Sequence, residues 1–266
     1  MKKKEIYIKD YSRFNWVGFY TLYNKEIKRF LNVGTQTLIA PAVTTLLFYM
    51  VFTIALGRGE IKINSYDFSE FLAPGLICMA ILQNSFANTS SSILISKVQG
   101  NIVDILMPPL SETELTCAFA LGGITRGLVV GVIVAITIYL LVPLKIYSLF
   151  CILYFSISSA LLLSLLGIFC GVWSQKFDHM AALTNFVITP LTFLSGTFYS
   201  ISKLPETWQF VAYFNPFFYM IDGFRYGFLG VNDGNINIGI VFLFIGNITA
   251  ILICMRIFKK GYRLKS

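Results

Sequence analysis

The segment 115–142 reads LTCAFALGGITRGLVVGVIVAITIYLLV, 28 residues with a single charge, Arg126. A helix that crosses a bilayer needs about 20 mostly apolar residues, so this stretch decides between a soluble and a membrane fold. The whole chain agrees with it. Of 266 residues, 56% are hydrophobic and 13% charged, and the mean hydropathy is +0.72. A soluble domain carries about 25% charged residues, and half that share cannot cover its surface. An all-α integral membrane fold is the expectation.

Working outward, five further apolar runs qualify, which gives spans at about 36–56, 71–95, 115–142, 148–173, 181–200 and 238–256. The fifth is interrupted by Pro190 and Gly196, which membrane helices tolerate where neighbours satisfy the freed backbone groups. The +8 net charge is concentrated at the ends: eight basic residues lie in 1–29 and five in 256–265. Fifteen basic residues fall on the side of the two termini and five on the other, so both termini are expected in the cytoplasm. Such placement fits topology and not a nucleic-acid groove. The five cysteines lie in or beside apolar runs without metal-like spacing, and the polar N-terminus does not read as a cleaved leader.

Two segments are neither spans nor plain loops. Over 15–32, Trp16, Tyr20, Tyr23, Ile27 and Phe30 recur every three or four residues, with Lys25, Lys28 and Arg29 opposite. This predicts an amphipathic helix lying along the cytoplasmic surface. Over 201–237 the density of aromatics predicts short helices that dip into the interface or pack over the bundle, with Pro205 and Pro216 able to start them.

No nucleophile–base set, zinc motif or phosphate-binding glycine loop appears. His179, alone in a short loop, reads as solvated. All 13 acidic residues lie in loops, tails or span ends, whereas ion-coupled carriers place an acid at mid-membrane. Arg126 is expected to snorkel to the cytoplasmic interface. Polar stripes recur on one face at Asn84, Asn88 and Ser92, and again at Asn185, Thr189 and Thr192. They suit either interhelical hydrogen bonding or the lining of a translocation path. Gly123, Gly127 and Gly131, and Gly167 with Gly171, read as close helix contacts. In the loop KVQGNIVDILMPPLS (97–111), Ile102, Ile105 and Leu106 form a short apolar face ended by two prolines, and Ser111 with Glu114 forms a capping box for the next helix.

These elements together resemble the ABC-2 family of ABC-transporter permeases, of the drug, polyol or polysaccharide exporter subgroup. The matching segments are KEIKRFLNVGTQTLIAPAVTTLLFYMVF (25–52), FLAPGL (71–76), MPPLSETEL (107–115) and LTFLSGTFYSISKLPETWQFVAYFNPFFYMIDGFRYGFLG (191–230). The resemblance implies a single transmembrane domain over 1–266 in a bacterial inner membrane, paired with a second copy or close paralogue. It implies export driven by ATP and Mg on a separate ATPase subunit, with no cofactor bound by this chain. It makes 15–32 a connecting helix and 97–106 a coupling helix, with Lys25, Glu26, Arg29, Lys97, Ile102, Asp104 and Ile105 against the ATPase. It places outer re-entrant helices at 201–230, with Asn215, Pro216, Asp222 and Arg225 in the outer gate and the last two paired as a clasp. An ion-coupled carrier and a non-transporting scaffold are the alternatives from other classes.

Overall fold

The computed structural model describes residues 14–56, 62–63 and 66–263. The basic residues Lys2, Lys3, Lys4, Lys9, Arg13, Arg58 and Lys265 used in the orientation argument lie outside them. Helix α1 (Trp16–Asn32) leads through a π-helical turn, Thr35–Ile39, into α2 (Ala40–Leu56). Strands β1 (Lys62–Ile63) and β2 (Tyr66–Asp67) form a two-residue antiparallel ladder, a small departure from an all-helical expectation. Then come α3 (Phe68–Val98), α4 (Ile102–Leu106), α5 (Glu112–Tyr139) and α6 (Leu149–Trp173). The fifth span is built from α7 (Phe177–Leu183) and α8 (Thr189–Thr192), and α9 (Glu206–Tyr213), α10 (Pro216–Leu229) and α11 (Ile236–Lys260) follow.

Six helical stretches among the described residues are long and apolar enough to cross a bilayer, at the six predicted places. In α3 and α11 the hydropathy follows what surrounds the helix. In α3, the most apolar window is one of the two least hydropathic, at 1.2, yet 83% of it is buried; in α11 the value is 2.5 and 22% is buried. Lipid tails give no hydrophobic drive for helix association, so the central helix is held by small and hydroxylated residues while the outer helices carry the apolar surface. At Gly167 of α6, a Cβ would meet Thr89 Oγ1 and lie 2.6 Å from the Phe86 carbonyl. Thr89 Oγ1 in turn donates to the Ser164 carbonyl at 2.8 Å. The glycine series predicted to be structural thus sits where α3, α5 and α6 touch.

Helix α3 has 31 residues and α5 has 28. At 1.5 Å per residue these reach about 46 and 42 Å, well beyond the roughly 30 Å hydrocarbon layer. Both project at the end where α4 joins them, and α1 covers the projection. The fifth span is broken twice. Pro190 has no N–H for the residue four before it, and the preceding turn, Thr184–Ile188, is π-helical. A second π turn, Phe193–Thr197, ends at Gly196 with φ +73°.

Candidate functional site

At the α4 end, Gly100 takes φ +78° and turns the chain out of α3, and Pro108 follows α4. Ile102 and Ile105 are 5% and 6% exposed and pack with Leu22, Ile93, Leu115 and Phe119. The apolar face expected to meet a partner is therefore the face that holds α4 to the bundle. A five-residue helix has one apolar stripe, and the bundle takes it. Val103, Asp104 and Met107 point outward instead. Between α1 and α4 runs a groove of about 500 Å³ lined by Thr21, Lys25, Asn101, Asp104 and Pro108 among others. Lys97 is turned away from it. Its Nζ donates to the carbonyls of Val172 (2.5 Å) and Ser174 (2.7 Å), capping the end of α6, where unsatisfied carbonyls and the helix dipole favour a cation.

Helix α1 does not lie flat. Its Asn15 N–H donates to Glu114 Oε1 at the start of α5, and Tyr23 meets Thr125 at 2.9 Å, eleven residues further along α5. The helix climbs between α3 and α5, burying Leu22, Glu26 and Phe30 and leaving Trp16 and Tyr20 exposed. Glu26 is fully buried. It accepts from Ser92 Oγ at 2.6 Å and from Arg29 at 3.2 Å. Arg29 Nη2 also donates to the Asn88 carbonyl (2.7 Å) and Asn88 Oδ1 (2.9 Å). One turn further, Arg126 Nη2 donates to Asn84 Oδ1 at 3.2 Å. Arg126 thus turns into the bundle rather than snorkelling, and Glu26 and Arg29 face α3 rather than a partner. Between Asn84 and Ser92, α3 presents side-chain polar groups; Arg126 of α5 meets Asn84, and Arg29 and Glu26 of α1 meet Asn88 Oδ1 and Ser92.

A second groove, of about 370 Å³, opens between α2 and α3 and carries Gln36, Thr44, Thr45, Gln83 and Asn84 among apolar walls. The fifth-span stripe is not continuous. Asn185 is exposed, Thr189 half-buried, and Thr192 fully buried with its hydroxyl on the Ile188 carbonyl at 2.5 Å. The π turn at Thr184–Ile188 shifts the register, so spacings of four and three do not keep these residues on one face.

At the opposite end, α10 is inserted between the first turns of α3 and α6. Asn215 caps it, accepting from the Phe217 N–H, and its Nδ2 donates to the Leu191 carbonyl and Ser195 Oγ, both at 2.8 Å. Pro216 occupies the first helical position. Asp222 accepts from the N–H groups of Asp233 and Gly234 at 2.9 Å each. Arg225 is fully buried. It donates to the Gly196 carbonyl at 2.5 Å and stacks 3.8 Å above the Phe71 ring. The expected Asp222–Arg225 clasp is not formed: each residue ties a different segment to α10. Aromatic residues divide by helix, with Phe217, Phe218 and Phe224 of α10 inside and Trp208 and Phe210 of α9 exposed.

A family model for ABC-2 type transporters matches residues 17–229. The chain is also 36% identical over 253 residues to the inner membrane transport permease YadH of Escherichia coli K12, covering 94% of this chain and 98% of that one. The chain belongs to the ABC-2 type transporter family. Nodulation protein J of Rhizobium leguminosarum bv. viciae is a more distant relative, 23% identical over 201 residues, 73% of this chain and 77% of that protein. The ABC-2 protein is accordingly the transmembrane permease subunit of an ABC transporter, a multi-pass inner-membrane protein of a family that works with ABC ATPase subunits.

Within this ABC-2 chain the residues expected against the ATPase divide by the direction they face. Lys25 and Asp104 share the groove between α1 and α4. Glu26, Arg29, Lys97, Ile102 and Ile105 are directed inward. Val103 and Met107 were not singled out, though their position opposite Ile102 and Ile105 on a 100° wheel could have exposed them. Asp233 was missed as well; it accepts from Ser200 Oγ at 2.6 Å and the Ile201 N–H at 2.9 Å, joining the turn before α11 to the end of the fifth span.

Proposed function

We propose that this permease forms the transmembrane half of an exporter, two copies or this chain with a close paralogue pairing across the fifth spans. The observation that carries the pairing is Asn185, a polar side chain exposed on a span of which only 28% is buried. The exposed side chains of α11, 22% buried, are mainly apolar and suit lipid. An exposed amide within the fifth span calls for protein or a water-filled path. The path would run between protomers, with the fifth span on one side and the polar groove between α2 and α3 on the other. A cargo with apolar parts would enter from the inner leaflet.

Both termini lie in the cytoplasm in this reading, supported by the basic residues at the chain ends. The ATPase subunits then dock at the α4 end, on Val103, Asp104, Met107 and the Lys25 side of the groove. ATP and Mg are held on those subunits and not on this chain. Closure of the ATPase pair moves α4 and α1, and α1 passes the movement to α3 and α5 through Glu26 and Arg29. Such a device needs two packings of the bundle that ATP biases. Affinity purification of tagged protein from gently solubilised native membranes, with partners identified by mass spectrometry, tests it. A stoichiometric subunit with nucleotide-binding motifs is expected; repeated recovery without one, in several detergents, sinks the reading in favour of a carrier or scaffold.

A further inference from the structure

Two arginines meet where α1, α3 and α5 join, and a single carboxylate answers them. Arg29 is paired with Glu26, which is itself fully buried and shared with Ser92. Arg126 has no carboxylate within 4 Å among the described residues, and its one hydrogen bond is to the neutral Asn84 amide. Its Nε is buried and meets no acceptor, and neither does Nδ2 of Asn88, a residue with no exposed surface. The cluster therefore carries an excess of one positive charge and unused donors, although buried charges are ordinarily paired.

In a pair related by an axis along the membrane normal, groups meet at equal depth, and among the described residues the acid beside this junction is Glu26, already paired with Arg29. The next on α5 is Glu114, twelve residues away, about 18 Å along the helix. Depth points to the occupant. Counting 30 Å from Glu70, at the far end of α3, reaches residue 90 or so. That puts Asn84, Asn88 and both guanidinium groups within about two turns of the edge of the hydrocarbon layer on the side of α1.

We propose that the α1–α3–α5 junction is an anion site that takes a phosphate group, with Arg126, partly exposed and without a carboxylate partner, as its principal ligand. Guanidinium groups favour phosphate through paired, charge-assisted hydrogen bonds. The phosphate can belong to a phospholipid of the adjoining leaflet or to a soluble phosphorylated compound, and this assignment holds whatever the cargo.

The test uses the full chain in lipid nanodiscs, as wild type, Arg126→Gln and Arg126→Lys. One arm compares phosphatidylcholine discs with discs doped with phosphatidylglycerol, reading retained lipid by native mass spectrometry. The other titrates inorganic phosphate against chloride at matched ionic strength in phosphatidylcholine discs, reading the melting temperature. Wild type is expected to retain phosphatidylglycerol or to be stabilised by phosphate, with Arg126→Gln weaker by about tenfold, the size of one lost charged hydrogen bond, and Arg126→Lys between them. A response confined to phosphatidylglycerol assigns an anionic lipid, whose phosphodiester lacks the compensating choline of phosphatidylcholine; one to inorganic phosphate assigns a soluble ligand. Wild type that prefers neither probe, or Arg126→Gln that binds as tightly as wild type, overturns the site. The wild-type comparison decides alone if Arg126→Gln does not insert.

Discussion

Asp222 and Arg225 stand one turn apart on α10 and yet serve different neighbours. Asp222 accepts the backbone N–H groups of Asp233 and Gly234, and Arg225 donates to the Gly196 carbonyl. The spacing of three residues allows a pair, but each side chain has backbone groups to satisfy, part-buried for Asp222 and buried for Arg225, and leaving such groups unmet costs more than a pair of this kind returns. Together they bind α10 to the end of the fifth span and to the turn before α11.

A double-mutant cycle measures that independence. Asp222→Ala and Arg225→Ala should each lower stability by about 1–3 kcal/mol, the cost of orphaned buried groups. Their effects should add to within about 0.5 kcal/mol, as expected of sites without a shared partner. Coupling above 1 kcal/mol in thermal melts of the purified protein would instead restore the clasp.

Glu26 is the second case of a charge turned inward. Its carboxylate bridges Ser92 of α3 and Arg29 of α1. Glu26→Ala should lower stability by about 2 kcal/mol, because Arg29 and Ser92 lose their acceptor. Glu26→Gln should cost about half of that, since it keeps an acceptor for Ser92. A surface role in docking predicts the reverse, with melting unchanged and ATPase recovery reduced. Parallel melting and co-purification of the two variants separate these outcomes.

Composition and run length made the six spans legible, because bilayer thickness imposes a length and an apolar content on each helix. Capping was legible for the same local reason: Ser111 and Glu114 form the predicted box, with Ser111 N–H to Glu114 Oε2 at 2.7 Å. Facing was not. A period of 3.6 shows which residues share a side, but Leu22, Glu26 and Phe30 are buried because α3 and α5 leave a seam, polar at Asn88 and Ser92, that α1 fills. Nothing in 15–32 records that. The break at Pro190 was visible, but the register change it brings to Asn185 and Thr192 depends on a π turn that spacing does not reveal.

The two sides of α4 should separate folding from docking. Ile105 is 6% exposed in the packed cluster, so Ile105→Asp buries an unpaired carboxylate and should lower the melting temperature of the permease by itself. Val103 and Met107 are 51% and 77% exposed. Val103→Asp and Met107→Asp should leave melting unchanged and weaken ATPase association by about tenfold, the scale of one interface anchor. Full-strength association in both surface variants would remove the exposed side of α4 from the docking surface.

The pairing across the fifth spans can be read from a disulfide. Phe186 is 81% exposed beside Asn185, and Ile245 is 58% exposed on α11, the most hydropathic span. Both are open in the single chain, but by hydropathy one faces a polar partner and the other lipid. With the native cysteines replaced, Phe186→Cys should yield an oxidised dimer in native membranes, and Ile245→Cys should remain monomeric under the same mild oxidant. Because collisions in the bilayer give weak, equal cross-linking at any lipid-facing site, the ratio between the two positions carries the result. Equal yields, or dimers from Ile245→Cys alone, would move the contact away from the fifth span. The polar side of Asn185 would then have to be covered by another segment or lined by water.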